Sequence, residues 1–493
     1  MLSTLLIPTL LSSLTAGAAE LPPALAADYE LLLDAARHQA DSLAVSPDGR
    51  WAVASVHTEE THYLQYYRQE WRRVLVLVGL SDGSREVVTA PAEDAQAPVW
   101  LPDGQGVAFF ARRDGRHGVE VLELSGRVRR RLAEMPDDGS GPLDWNPWLR
   151  PTADGRFLLY AVQAPGAWWE GHVDRLARGP ADLPEEPIVI GPEARAPLLQ
   201  AQGLGAEFFG QGPPMTVLAV PVAGGPAREL ASGEDLPAAS YAWGAAGLLD
   251  GAWDGEGGRL LVADGPEVRV VPLGAAAPKA GAAASAELPG PVLLRRVLPD
   301  GTVLLLVSRR AEPTAELLVP TGRDVWEIVS VSVDASGGVR TASRARGPAL
   351  PDGYPQALAA NGRRLVVWRA VGPGAALVAL DLASGETVDL VGADGVAKRR
   401  VAWLPAVDPA AEELLAVRST ATEPEVLVRV GLDGSARPVP GRWPGVPAEL
   451  PVGAVETVRW QAPDGEEIEG VLVTPDDGAR GRPYPTLLYL HGG

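Results

Sequence analysis

Several stretches of the chain carry residue types that could do chemistry. Gly79-Leu80-Ser81-Asp82-Gly83 matches Gly-x-Ser-x-Gly, the pattern in which a sharp strand-to-helix turn presents a nucleophilic serine. The next residues, Ser84-Arg85-Glu86-Val87-Val88-Thr89, read as a strand and not a helix, so Ser81 is expected in an ordinary turn. His57 and His62 flank Glu59 and Glu60, but neither HExxH nor HxxEH spacing occurs. A solvated loop is expected there, and no metal. Arg127, Arg129, Arg130 and Arg131 form the densest basic cluster. On an outer strand they are expected to be a solvated edge that discourages strand-to-strand aggregation. Two aromatic groups, Tyr63, Tyr66, Tyr67 and Trp71 in one and Trp168, Trp169 and His172 in the other, fall in irregular segments. They either pack over the ends of neighbouring elements or line a substrate chamber.

Composition narrows these options. The 493 residues are 46% hydrophobic and contain no cysteine, which excludes disulfides, thiolate zinc sites, iron–sulfur clusters and a cysteine nucleophile. A net charge of −20 repels phosphate backbones and anionic lipid, so no nucleic-acid partner is expected. With 56 Gly and 46 Pro the chain is rich in turns. Leu2–Leu14 is apolar and is followed by the small residues Ala16-Gly17-Ala18-Ala19, so residues 1–19 are expected to be a signal peptide and the protein exported, to the periplasm or outside the cell. No other segment approaches the length of a membrane span. Residues 20–40 are expected to hold a helix, with Leu25, Tyr29, Leu32, Leu33 and Ala36 on one face.

The elements that must position any site come from a repeat. A short strand, an Asp-Gly or Asn-Gly turn, two strongly apolar strands and a short polar strand recur, with turns at Asp48-Gly49, Asp103-Gly104, Asp154-Gly155, Asp254-Gly255, Asp300-Gly301, Asn361-Gly362 and a degraded one near Asp408-Pro409. The third copy is interrupted from about Pro165 to Pro214. A four-stranded unit of this size cannot bury both its faces alone and must stack on neighbours around an axis. The fold class is therefore all-β, a seven-bladed β-propeller over residues 41–445.

After the Pro-rich stretch Pro438–Pro451 the pattern changes. Two strands, Val455–Gln461 and Ile468–Thr474, flank Asp464-Gly465, and the continuous apolar run Pro485–Leu490 leads into His491-Gly492-Gly493. The order propeller, then VRWQAPDGEEIEGVLVTP, then YPTLLYLHGG resembles the prolyl oligopeptidase family of serine peptidases, most closely its acylaminoacyl-peptidase-like branch. The segment ATEPEVLVRVGLDG, Ala421–Gly434, resembles the family's last blade.

The resemblance implies that residues 446–493 begin an α/β-hydrolase domain, incomplete here, and that the propeller admits only short peptides to it. It further implies that Gly493, with Gly492 beside it, supplies backbone N–H groups to an oxyanion hole, where a Cβ would obstruct the substrate carbonyl. By the same resemblance His491 is structural, and the Ser, Asp and His of the triad are expected beyond Gly493. Residues 1–493 alone are then expected to be inactive. No cofactor is expected. Neither Glu59-Glu60 nor Glu185-Glu186 has the setting of the paired glutamates that hold a free amine in dipeptide-trimming members. The alternative reading is a stand-alone propeller that serves as a binding scaffold.

Overall fold

A computed structural model describes residues 40–58, 62–65, 68–70, 72–136, 141–143, 147–163, 215–232, 236, 248–264, 267–274, 284–290, 292–309, 325–334, 337–348, 353–372, 374–392, 396–405, 412–420, 423–446 and 453–474. The repeated turn is the unit from which the fold is built. At Asp48-Gly49 the Asp48 carboxylate accepts the Arg50 N–H at 3.0 Å, and the Gly49 N–H donates to the Ser46 carbonyl at 2.9 Å. Gly49 has φ +69°, a conformation that costs glycine nothing. The same bonds recur around Gly104, Gly155, Gly301 and Gly362, and a shorter version closes at Asp254-Gly255. Each turn reverses the chain after a blade's first strand.

Seven antiparallel sheets result, each from one continuous stretch of chain. The first strands of the blades are Ala40–Val45, Gln96–Trp100, Leu149–Pro151, Leu248–Trp253, Val292–Val297, Gly353–Leu358 and Val396–Trp403. In the third blade the two-residue strand Gly141–Pro142 extends this edge. Each blade then adds three strands outward, ending in the fourth at residues such as Arg85–Val87 and Val128–Glu134.

Side chains on a strand alternate between two faces, and here both faces are buried. In the first blade Ala52, Ala54, Val74, Val76 and Val78 pack on the last blade, whereas Val53, Leu75 and Leu77 pack on the second. Seven apolar clusters lie between successive blades in this way, the last joining Leu415, Val417 and Leu427 to the first blade. The fold is a closed, seven-bladed β-propeller.

No strand is exchanged to close it, because the first and last sheets are each contiguous in sequence. The seam depends on side chains instead. Glu425 accepts the Ala40 N–H at 2.9 Å and the Trp443 indole N–H at 3.3 Å, and the Arg85 guanidinium lies 5.5 Å from the Trp443 ring centre. A Cβ on Gly83 would lie 2.3 Å from the Pro440 carbonyl oxygen, so only glycine fits there.

The hairpin Ala454–Gln461 and Glu467–Thr474 follows the ring, with its turn at Asp464-Gly465. The expected N-terminal signal and helix, the interruption after Pro165, and the turn near Asp408-Pro409 lie outside the described residues.

Candidate functional site

In a propeller the first strands surround the central channel, and those of five successive blade pairs contact each other directly. In six of the seven a bulge or register shift interrupts the pairing with the second strand. A bulge re-aims side chains, so polar residues of the first strands are not all directed into the spaces between blades.

Three charged residues on the first strands of adjacent blades influence one another. Arg150, Asp250 and Arg295 lie two, four and three residues before the residue that opens each blade's turn, Thr152, Asp254 and Leu298. At ~3.3 Å per residue they fall within about 7 Å of one another along the axis. Among the described residues no carboxylate lies within 4 Å of either guanidinium, and the buried Arg295 Nη1 has no hydrogen-bond partner.

The mutual influence of the three is electrostatic. Burial, and then the like charge of Arg150, bring the Arg295 guanidinium down to about 9 against the opposing pull of Asp250. Burial also lowers Arg150, again opposed by Asp250. The Asp250 carboxyl is pushed up by burial, despite the Gly251 backbone amide and the charges of Arg150, Arg295 and Arg259. Arg150 keeps solvent access and Asp250 and Arg295 are half-buried, so two cations and one anion influence one another here without forming an ion pair.

Other arginines of the ring are paired. Arg73, 8% exposed, forks onto Asp94, 6% exposed, at 2.7 and 2.9 Å, and also reaches Asp41 at 3.2 Å. Burial pulls Arg73 down, but Asp94 and Asp41 outweigh it and leave the guanidinium above its usual range. Arg296, next in sequence to Arg295, donates to Glu412 at 2.6 Å and to the Leu358 carbonyl at 2.7 Å, with Trp403 4.3 Å away.

The residues singled out in the sequence fare differently. Ser81 sits in a hairpin turn where Asp82 accepts from the Ser84 N–H and hydroxyl, and the strand Arg85–Val87 follows. No elbow forms. His57 Nε2 lies 3.8 Å from an Asp41 oxygen at the end of the second strand, while His62 begins the small hairpin His62–Gln65 and Arg68–Glu70.

The basic cluster lies on an edge strand, with Arg127 exposed and Arg129, Arg130 and Arg131 half-buried, and all four are ion-paired. Arg127 pairs with Glu86, Arg129 with Glu93 and Glu120, Arg130 with Glu123, and Arg131 with Glu120 and Glu134. Glu120 is fully buried and also meets Arg113 at 2.7 Å. Two of these pairs, to Glu86 and Glu93, tie the second blade to the first. Charge compensation across a blade boundary has no signature along one strand, so periodicity gave no warning of it. His491, Gly492, Gly493, Glu59, Glu60, Glu185, Glu186, Tyr66, Tyr67, Trp71, Trp168, Trp169 and His172 lie outside the described residues.

Connections between second and third strands all emerge on one face of the ring, opposite the Asp-Gly turns. The small hairpin in the first blade and the interruption in the third leave from that face, between His57 and Arg73 and between Gln163 and Met215. The hairpin that follows the ring reaches the same face, with Glu469 against Gly372, which lies between the second and third strands of the sixth blade.

Neither a protein-family model nor a curated protein matches this sequence. Solved structures do. The chain is similar to the acylaminoacyl peptidase of Pyrococcus horikoshii, with TM-score 0.47 and 16% identity over 87% of this chain and 56% of that one. It is similar to the β-propeller domain of the Trilobed protease from Pyrococcus furiosus, with TM-score 0.40 and 13% identity over 82% of this chain and 99% of that domain. It is also similar to the oligogalacturonate lyase of Vibrio parahaemolyticus, with TM-score 0.48 and 9% identity over 80% and 89%. Peptidases and a lyase stand side by side at these scores, so the likeness does not discriminate among activities. The chain spans less than two thirds of the length of the acylaminoacyl peptidase.

Proposed function

We propose that this chain carries the propeller and the opening strands of the α/β-hydrolase domain of a serine oligopeptidase of the prolyl oligopeptidase family. The observation that carries the reading is the hairpin Ala454–Thr474. It follows the ring directly, meets the face from which the blade insertions leave, and exposes apolar side chains on both its surfaces. Trp460 is paired with Ile468 on one surface, and Val471 and Val473 lie on the other, all four at least 39% exposed. A free-standing hairpin gains nothing from two apolar faces, whereas a strand pair inside an α/β sandwich is covered on both.

In this reading the ring acts as a size filter and the hydrolase domain does the chemistry. A triad serine, made nucleophilic by a histidine that an aspartate orients, attacks the peptide carbonyl and forms an acyl-enzyme that water then hydrolyses. Gly493, with Gly492 beside it, donates a backbone N–H to the oxyanion that develops, alongside the N–H of the residue after the nucleophile. The triad belongs to the part of the domain beyond Gly493, so residues 1–493 alone hydrolyse nothing.

The test is labelling of the natural gene product in its source cells with a fluorophosphonate that modifies active serines. The expected result is a labelled species larger than 51.6 kDa by roughly 20–25 kDa, the size of the remainder of a hydrolase domain. Its activity should extend to short peptides and not to folded proteins. A native product of 51.6 kDa that takes no label overturns the proposal in favour of the binding scaffold.

A further inference from the structure

We infer that the outer strand of the fifth blade, Val339–Pro348, is a docking edge that takes up an extended, acidic segment of a partner protein as a further strand. The inference does not depend on the peptidase reading. It starts from length. The outer strands of the other blades are shorter: three residues at Arg85–Val87, Ser285–Glu287 and Ala436–Pro438, five at Arg228–Ser232 and Thr387–Val391, and seven at Val128–Glu134. A short edge denies an incoming chain a template, whereas a long one offers a row of unpaired backbone groups. Val339–Pro348 has ten residues, and Arg340, Thr341, Ala342, Ser343 and Arg344 are all exposed.

The ladder fixes which backbone groups are free. The Asp334 N–H donates to the Gly338 carbonyl at 3.0 Å, and the pairing then runs without a shift from Val333–Val339 to Val329–Ser343. Bonded and unbonded positions alternate in an antiparallel pair, so Ser332–Arg340 and Ser330–Ala342 exchange backbone bonds. The Ser330 hydroxyl also donates to the Ala342 carbonyl, at 3.2 Å. The N–H and C=O groups of Thr341 and Ser343 therefore point away from the blade. A strand laid alongside bonds to those two residues without disturbing the sheet, which is the mode of β-strand addition.

Charge selects the occupant. The strand holds Arg340, Arg344 and Arg346 and no acidic residue, in a chain of net charge −20. Arg340 and Arg346 meet Asp334 and Glu327 at 3.1 and 2.8 Å. Arg344, the extra residue of a bulge, donates to the Ser330 hydroxyl at 2.9 Å and has no carboxylate within 4 Å among the described residues. Ser330 and Ser332 share a face of the blade, so Arg344 and Arg340 lie on that face together. A partner strand with acidic residues at alternate positions meets both. A second copy of this strand does not. About a two-fold axis at Ser343 it sets Arg340 opposite Arg346, and about one at Ala342 it sets Arg340 opposite Arg344; like charges directly opposite destabilise a strand pair.

The experiment is fluorescence anisotropy of labelled, N-acetylated hexapeptide amides with the full 493-residue chain. The peptides are (Glu-Val)3, (Lys-Val)3, and (Glu-Val)3 methylated on every backbone nitrogen. The expected result is binding of (Glu-Val)3 roughly tenfold tighter than of (Lys-Val)3, and no binding of the methylated peptide. Thr341→Pro removes one outward N–H and no bond within the blade, a change that an edge strand tolerates, and should weaken binding of (Glu-Val)3 about tenfold. Arg344→Glu should abolish the preference for the acidic peptide.

Equal binding of the acidic and basic peptides overturns the acidic partner. Binding of the methylated peptide, or undiminished binding to Thr341→Pro, overturns strand addition, and no binding of any peptide overturns the proposal outright. Sedimentation of the parent chain should show no dimer that depends on this edge; a dimer that Thr341→Pro dissolves assigns the edge to a second copy instead. Should Thr341→Pro not fold, judged by circular dichroism, Ser343→Pro takes its place, and the methylated peptide tests the edge with the protein unchanged.

Discussion

Two groups of arginines in one ring, one between the first and second blades and one on the third and fifth, differ in their partners. Between the first and second blades, Arg73, Arg113, Arg129 and Arg131 converge on Asp94, Glu93 and Glu120, and the charges are compensated. On the channel wall of the third to fifth blades, Arg150 and Arg295 repel each other with only Asp250 to offset them. The chemistry is the same in both places; the supply of acceptors differs. Where carboxylates are present the arginines hold blades together; Arg150 and Arg295 have none within 4 Å among the described residues.

The comparison is broken most directly by removing one partner of the compensated group. Arg73→Met leaves Asp94 buried without its fork and is expected to cost about 3–5 kcal/mol, read from urea unfolding of the full chain. A loss below about 1 kcal/mol would mean that water reaches this pair and that the contrast is overstated.

The channel group should respond in the other direction. Arg295→Met removes a half-buried cation that has no carboxylate within 4 Å among the described residues, so stability is expected to be unchanged or to rise by up to about 1 kcal/mol in the same assay. A loss comparable with that of Arg73→Met would show that Arg295 is structural.

A third test uses pH on carboxylates that belong to neither group. In the Asp-Gly turns, Asp48 and Asp154 are brought down to about 2, first by hydrogen bonds from Ser46 and Thr152 and then by Arg50 and Arg156. A depressed carboxyl stabilises the fold above its unfolded value, near 3.8, and loses that contribution as pH falls through about 2. Asp154→Asn should therefore be less stable than the parent above pH 4 and approach it near pH 2, by thermal melts across that window. Parallel curves over the whole range would exclude a role for the charge.

The smallest effect is expected at Ser81. Its turn is held by Asp82 and Ser84, so Ser81→Ala should change stability by less than about 0.5 kcal/mol and leave peptidase activity of the native product intact. Lost activity with retained folding would restore Ser81 as a nucleophile.

Much of the fold could be read from the chain because its signals are local. Gly49, Gly104, Gly155, Gly301 and Gly362 all adopt the positive φ expected of their turns, and the apolar strands between them pair as their pattern predicts. The strand pair around Asp464-Gly465 was legible for the same reason. The candidate site was not. Arg150 stands in a three-residue strand and Arg295 beside Arg296, with no motif to mark either. Nothing in the row Arg127, Arg129, Arg130, Arg131 distinguishes a solvated edge from an ion-paired one.

The turns, the alternation and hence seven stacked sheets follow from the chain alone, because a turn or a strand face depends on residues one to five positions apart. Which charges find a partner follows instead from how the blades come together. Arg150, Asp250 and Arg295 are separated by 100 and 45 residues in the chain and by one blade each in the ring. Whether a guanidinium finds an acceptor depends on that ring closing, since desolvation and Coulomb forces act through space and not along the chain.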